Sequence, residues 1–199
     1  MSSDRRRPRA DARRNRERLL TEAEAAFREQ GTGTSLEAVA RRAGVAIGTL
    51  YAHFPSRDAL VAAVLRERNG ALFEHGEALF AQPEPAPALA AWVAAVVEHA
   101  AAYQGLAGML AAGAGDERSE LHASCARMND IGDRLIGRAR AAGALRQDAT
   151  SADIFALMNA AAWIAEQTSR EQADRLVRLT LRGLFRTPKD EADEALRPA

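Results

Sequence analysis

Hydroxyl, phenol, imidazole and guanidinium side chains gather in one short stretch, Ser35 to Phe54, which reads SLEAVARRAGVAIGTLYAHF. Groups of these types can hydrogen-bond to anions and to polar edges, but nothing in the stretch is spaced for a nucleophile–base pair. The rest of the chain adds no catalytic pattern. It has no phosphate loop, no G-x-S-x-G and no G-x-G-x-x-G. The four histidines, His53, His75, His99 and His122, show neither H-x-x-x-H nor mixed Cys/His ligand spacing. The single cysteine, Cys125, has no second thiol to pair with and reads as a buried helical residue. No enzymatic activity, metal or cofactor is therefore expected.

The elements that position the stretch are legible. Leu36, Val39 and Ala40 repeat at helical spacing, with Ser35 placed to cap the first free N–H groups. Ala43-Gly44-Val45 breaks that helix, and glycine there suits a left-handed turn. A second short helix follows, with Val45, Leu50 and Phe54 toward a core and Ile47, Gly48, Thr49, Tyr51 and His53 on the remaining surface. Two short helices around a glycine turn predict a helix-turn-helix, whose second helix lies in a DNA major groove. A plain helical hairpin would satisfy the same periodicity.

The wording decides between them. Within the run from Glu17 to Leu65, AEAAFREQG, then TSLEAVA, then RAGVAIGTLYAHFPSRDAL follow one another nearly without gaps. This run resembles the N-terminal domain of the TetR (tetracycline-repressor-like) family. The resemblance implies an all-α protein, with an N-terminal three-helix DNA-binding head and a C-terminal helical body for ligand binding and dimerisation. It assigns phosphate contacts to Thr34, Ser35, Tyr51, His53 and Arg57, whose polar groups suit that work. It assigns base reading to Arg42, Ala46, Ile47, Gly48 and Thr49. Arginine can grip guanine through two hydrogen bonds, and Ala or Thr methyls can touch a thymine methyl. The chain departs from the family's commonest wording at Ala46, Ile47 and Ala52, which makes the reading helix less cationic than usual. Affinity would then lean on the N-terminal arginines, or on apolar contacts and DNA shape.

Composition agrees with this outline. Alanine, leucine, arginine and glutamate dominate the 199 residues, as in helical proteins. Net charge is zero, yet residues 1–58 carry 12 Arg against 8 acidic residues, and residues 59–199 carry 15 Lys and Arg against 19. A basic head on an acidic body points the head at phosphate. The expected division is a flexible basic arm (1–10) containing Arg5, Arg6, Arg7 and Arg9, a helix-turn-helix domain (11–58), and a body (59–199). One cysteine and no secretory signal fit a cytoplasmic protein. The longest strictly apolar run, Ala88 to Val97, is ten residues, too short for a membrane span.

Periodicity predicts a first helix over 12–30 and one long helix over 57–81. A proline-rich linker, QPEPAP, covers 82–87, and further helices cover 88–103, part of 105–115, 117–142, about 150–167 and 169–186. The resemblance implies a homodimer through the last two helices, a double-stranded DNA operator and a small-molecule inducer. Trp92, Val96, His99, Met109, Leu110, His122, Met128, Phe155, Asn159 and Trp163 are the candidate pocket residues. Being mostly apolar, they suit a hydrophobic or aromatic molecule. The implied function is a repressor released from a palindromic operator by that molecule. The alternative is a DNA-binding dimer without a ligand, whose body serves dimerisation or protein contacts.

Overall fold

The computed structural model describes residues 6–186, with side chains from residue 10 onward. Its described residues form ten helices and no strand beyond an isolated bridge between Leu145 and Phe185. The helices are α1 (Arg6–Gln30), α2 (Leu36–Arg42), α3 (Ile47–His53), α4 (Arg57–Val64), α5 (Arg66–Leu79), α6 (Pro85–Ala100), α7 (Leu106–Gly115), α8 (His122–Ala141), α9 (Ser151–Gln167) and α10 (Arg170–Leu184). The all-α expectation holds. Residues 6–10 form the start of α1 rather than part of an arm, and residues 1–5, with Arg5, lie outside the described residues.

The chain divides into two compact units. One holds residues up to 68 together with 102–123; the other holds 69–101 together with 124 onward. Grouping 102–123 with the helix-turn-helix is a tertiary result that no local pattern announces.

In the first unit Leu19, Ala23 and Phe27 of α1 are buried with Val39, Leu50, Phe54 and Leu60. The Tyr103 ring meets Phe27 edge-on, with centroids 6.1 Å apart. In the second unit, Trp92 of α6 is fully buried against two glycines. A Cβ on Gly76 would stand 2.6 Å from Trp92 Cζ3, and one on Gly132 would stand 3.2 Å from Trp92 Nε1. Side-chain contacts link α5 to α8: Asn69 Nδ2 donates to Ser124 Oγ at 3.0 Å, the Arg127 guanidinium lies 4.4 Å from the Phe73 centroid, and Arg134 pairs with Glu77 at 3.2 Å. Thr150 and Asp153 form a capping box on α9, and Ser169 caps α10.

Three boundaries differ from expectation. The long helix over 57–81 is two helices, interrupted at Leu65 (φ −76°, ψ −8°). The proline linker is shorter, because Pro85 opens α6. Proline stops a preceding helix but suits the first turn of the next, where its missing N–H would have had no partner. α8 starts at His122 rather than near 117. Upstream, the Asp116 carboxylate accepts from the Arg118 N–H at 3.0 Å, and the Ser119 N–H donates to Asp116 O at 2.9 Å, so a turn competes successfully with the helix.

Candidate nucleic-acid interface

α2 begins where Ser35 Oγ accepts from the Ala38 N–H at 3.1 Å. It ends in a left-handed glycine turn. Gly44 has φ +64°, its N–H donates to Arg41 O at 3.1 Å, and the Val45 N–H donates to Ala40 O at 3.0 Å. These two bonds satisfy carbonyls that the helix end leaves free. Gly44→Val should therefore destabilise this unit by about 1–2 kcal/mol, the cost of a β-carbon in the left-handed region. The Cβ would also stand 2.5 Å from Arg18 Nη2, a flexible end that can move away. Unchanged urea unfolding in that variant would remove Gly44 from the turn's energetics.

α3 has no side-chain cap at Ala46, consistent with the missing polar residue there. Leu50 and Phe54 anchor it in the core. Ala46, Gly48 and Tyr51 are exposed, while Ile47, Thr49 and His53 are half-buried. Its outer side thus offers a phenol, an imidazole, a hydroxyl and small apolar groups.

Four assigned residues are already engaged. Arg42 binds Glu22 at 3.1 Å and both oxygens of Glu29 at 2.7 and 3.1 Å, so its fork is turned toward α1 rather than toward a base. The same hydrogen bonds hold the Glu29 carboxyl below the usual carboxylate range. Arg57 Nη1 donates to Thr32 O and Thr34 O, each at 2.6 Å. Thr34 is buried and its hydroxyl donates to Gly31 O at 2.9 Å. The Ser35 hydroxyl is exposed but already caps α2 and donates to Glu37 at 2.9 Å. These four side chains build the frame, and binding through their side-chain groups would have to break or share these bonds. The assigned residues outside this frame are Tyr51, His53, Thr49, Ile47, Gly48 and Ala46, all on α3 or at its start.

The ten pocket candidates separate. Met109, Leu110 and His122 belong to the first unit, and the rest to the second. Trp92, Val96, His99 and Met128 are buried, and Phe155 is half-buried with its ring facing Gly132. Asn159 and Trp163 are not inward: Trp163 is 59% exposed. On α9 the inward positions are Ile154, Met158, Ala161 and Ala162. A groove of about 370 Å³ between α6, α9 and α10 has Ala90, Ala94, Val97, Val177 and Leu181 in its walls and an ion pair, Arg170–Glu98 at 3.0 Å, beside them. None of the ten candidates lines it. Sequence reasoning also passed over Thr32, Gln104 and Asn69; the glycines at 31 and 105 were the available signal for the first two.

Residues 19–64 match the family model for bacterial regulatory proteins of the tetR family, and residues 84–186 match that for the C-terminal domain of SbtR-like transcriptional regulators. The TetR transcriptional regulator SCO0520 from Streptomyces coelicolor is 36% identical, with 86% of this chain and 99% of that chain covered and a TM-score of 0.58. A TetR transcription regulatory protein from Mycobacterium vanbaalenii is 34% identical, with 89% and 99% covered and a TM-score of 0.51. RolR, solved in complex with resorcinol, shares the fold at 19% identity, with 95% and 96% covered and a TM-score of 0.60. No curated protein matches the chain. Among the described residues no helix is long and apolar enough to cross a membrane.

Proposed function

The chain belongs to the TetR family of transcriptional regulators, and from that premise we propose that it is a homodimeric repressor of a palindromic DNA operator, released by a small hydrophobic or aromatic molecule. The observation that carries the DNA half is α3 itself. It is fixed by a left-handed glycine turn and by buried Leu50, while Tyr51 remains 45% exposed beside His53. The reading helix offers few cations, so specificity rests on methyl contacts and DNA shape, with Tyr51 and His53 on phosphates.

The dimer half rests on α9 and α10. Trp163, Leu176 and Leu179 are the large apolar side chains left exposed there, at 59%, 36% and 53%. Three such residues on neighbouring helices suit a second copy of the same face, since two-fold association is self-complementary. RolR, which shares the fold, is solved with resorcinol, and that supports an aromatic effector. An effector releases DNA only by binding the DNA-incompetent state more tightly. A second reading, a DNA-binding dimer without an effector, is favoured by the close packing of Trp92 between Gly76 and Gly132.

The decisive experiment is enrichment of duplexes from a random DNA pool, followed by footprinting. A two-fold dimer should select a near-palindrome and protect two half-sites about 34–36 Å apart, centre to centre. Protection of a single asymmetric half-site by a monomer would refute the reading. Adding resorcinol and related phenols to the bound complex then separates the two effector readings.

A further inference from the structure

Residues 31–34, between α1 and α2, are held at nearly every position, and one of the holding groups comes from far along the chain. The Thr32 N–H donates to Gln104 O at 2.8 Å, and the Thr32 hydroxyl reaches the same oxygen at 3.2 Å. The two segments touch backbone to backbone because glycines stand at the contact. A Cβ on Gly31 would lie 2.6 Å from Gln104 O, and one on Gly105 would lie 2.9 Å from Thr32 Oγ1. Both glycines are left-handed, at φ +78° and +82°. Arg57 holds the carbonyls of Thr32 and Thr34 from another side, and the Ser119 hydroxyl donates to Asp58 at 2.7 Å in the first turn of α4. Thr32 is 2% exposed, so its own polar groups are shielded from water, while Gln104 lies at the surface.

We infer that Thr32 and the Gln104 carbonyl form a latch that positions α2, and through it α3, for DNA. The loop after α6 is thereby a working part of the DNA reader. Ser35, the cap of α2, follows the latched residues directly, and the glycine turn passes the orientation of α2 to α3. Thr32 is a positioning residue on this account; it is not assigned to DNA.

The inference rests on the DNA-binding reading for its consequence, and its test has an arm that needs no DNA. Thr32→Val removes the hydroxyl at nearly constant shape, and Thr32→Ser restores it. The probes are duplexes enriched from a random pool by the wild-type protein, and a scrambled duplex. Thr32→Val should weaken the enriched duplex about 5- to 10-fold, the scale of one buried hydrogen bond, and leave the scrambled duplex within about 2-fold. Thr32→Ser should return to within about 2-fold of wild type. Hydrogen exchange at the Thr32, Val39 and Ala43 amides should accelerate together in Thr32→Val. Equal loss on both duplexes, or wild-type affinity and exchange in Thr32→Val, would overturn the latch. Should Thr32→Val fail to fold, exchange in the wild-type chain decides. The Thr32 amide should open in the same cooperative step as Val39, and a separate, faster opening would overturn it. Failure to enrich any duplex would refute DNA reading alone, with the exchange arm still judging the latch.

Discussion

Replacing Arg57 by leucine should destabilise the DNA-binding unit by about 3 kcal/mol and abolish selective DNA binding. The guanidinium donates from one nitrogen to two backbone carbonyls, Thr32 O and Thr34 O, both at 2.6 Å. Thr32 and Thr34 are themselves buried, at 2% and 7% exposure. A hydrogen bond to a charged group contributes about 1.5–3 kcal/mol, and a buried acceptor left without its donor costs about 1–3 kcal/mol. Arg57 is half-exposed, so the lower half of each range applies. Leucine keeps the aliphatic stem but supplies no donor. Arg57→Lys should recover part of the loss, because an ammonium also donates but lacks the fixed donor directions of the planar guanidinium.

Urea unfolding of the variant, followed in parallel with DNA titration, separates two roles. A residue that only touches phosphate would leave the unfolding midpoint unchanged, weaken binding to all sequences alike and lower the salt slope by about one per contact. A residue that frames the loop before α2 would lower the midpoint and lose selectivity first. An unchanged midpoint in Arg57→Leu would refute the framing role.

The second large effect is expected at Trp163. Trp163→Glu should raise the dimer dissociation constant at least about 100-fold, close to 3 kcal/mol, with little change in the folding of the isolated chain. The indole is 59% exposed on α9, so a surface charge there costs the monomer little. In a self-complementary interface the same charge meets its own copy, or is stripped of water, and each is unfavourable by several kcal/mol. Operator affinity should fall with dimerisation, since a lone subunit engages one half-site. Analytical ultracentrifugation across a concentration series gives the reading. A dimer of wild-type strength would show that α9 does not associate through Trp163, and the residue would return to the effector wall where its apolar neighbours in sequence first placed it.

That change of place shows how far local pattern reaches. α9 carries Ile154, Phe155, Leu157, Met158, Ala161, Ala162, Trp163 and Ile164, apolar residues on most of its circumference. Periodicity identifies such a segment as a helix without saying which side faces the core. Ile154, Met158, Ala161 and Ala162 are inside because α6 and α10 supply partners there. The arginines have a similar history. In the sequence Arg42 looks free to read a base and Arg57 free to bind a phosphate, since nothing local distinguishes a free guanidinium from a paired one. Glu22 and Glu29 precede Arg42 by 20 and 13 positions, and Thr32 precedes Arg57 by 25. Such pairings exist only after the helices have packed.

What the sequence determined by itself is the set of features whose causes lie within a few residues. Ser35, Ser56, Thr150 and Ser169 cap the helices they precede, and glycines 31, 44 and 143 turn left-handed where helices end. A hydroxyl reaching an N–H three residues on, or a missing Cβ, acts over a single turn and needs no distant partner. The helix-turn-helix followed from these signals. The tertiary structure alone decided that 102–123 belongs with that motif, that the Gln104 carbonyl meets Thr32, and that Trp163 stays outside. Those outcomes depend on which surfaces bury one another, and the energy of burial is set by partners tens of residues away.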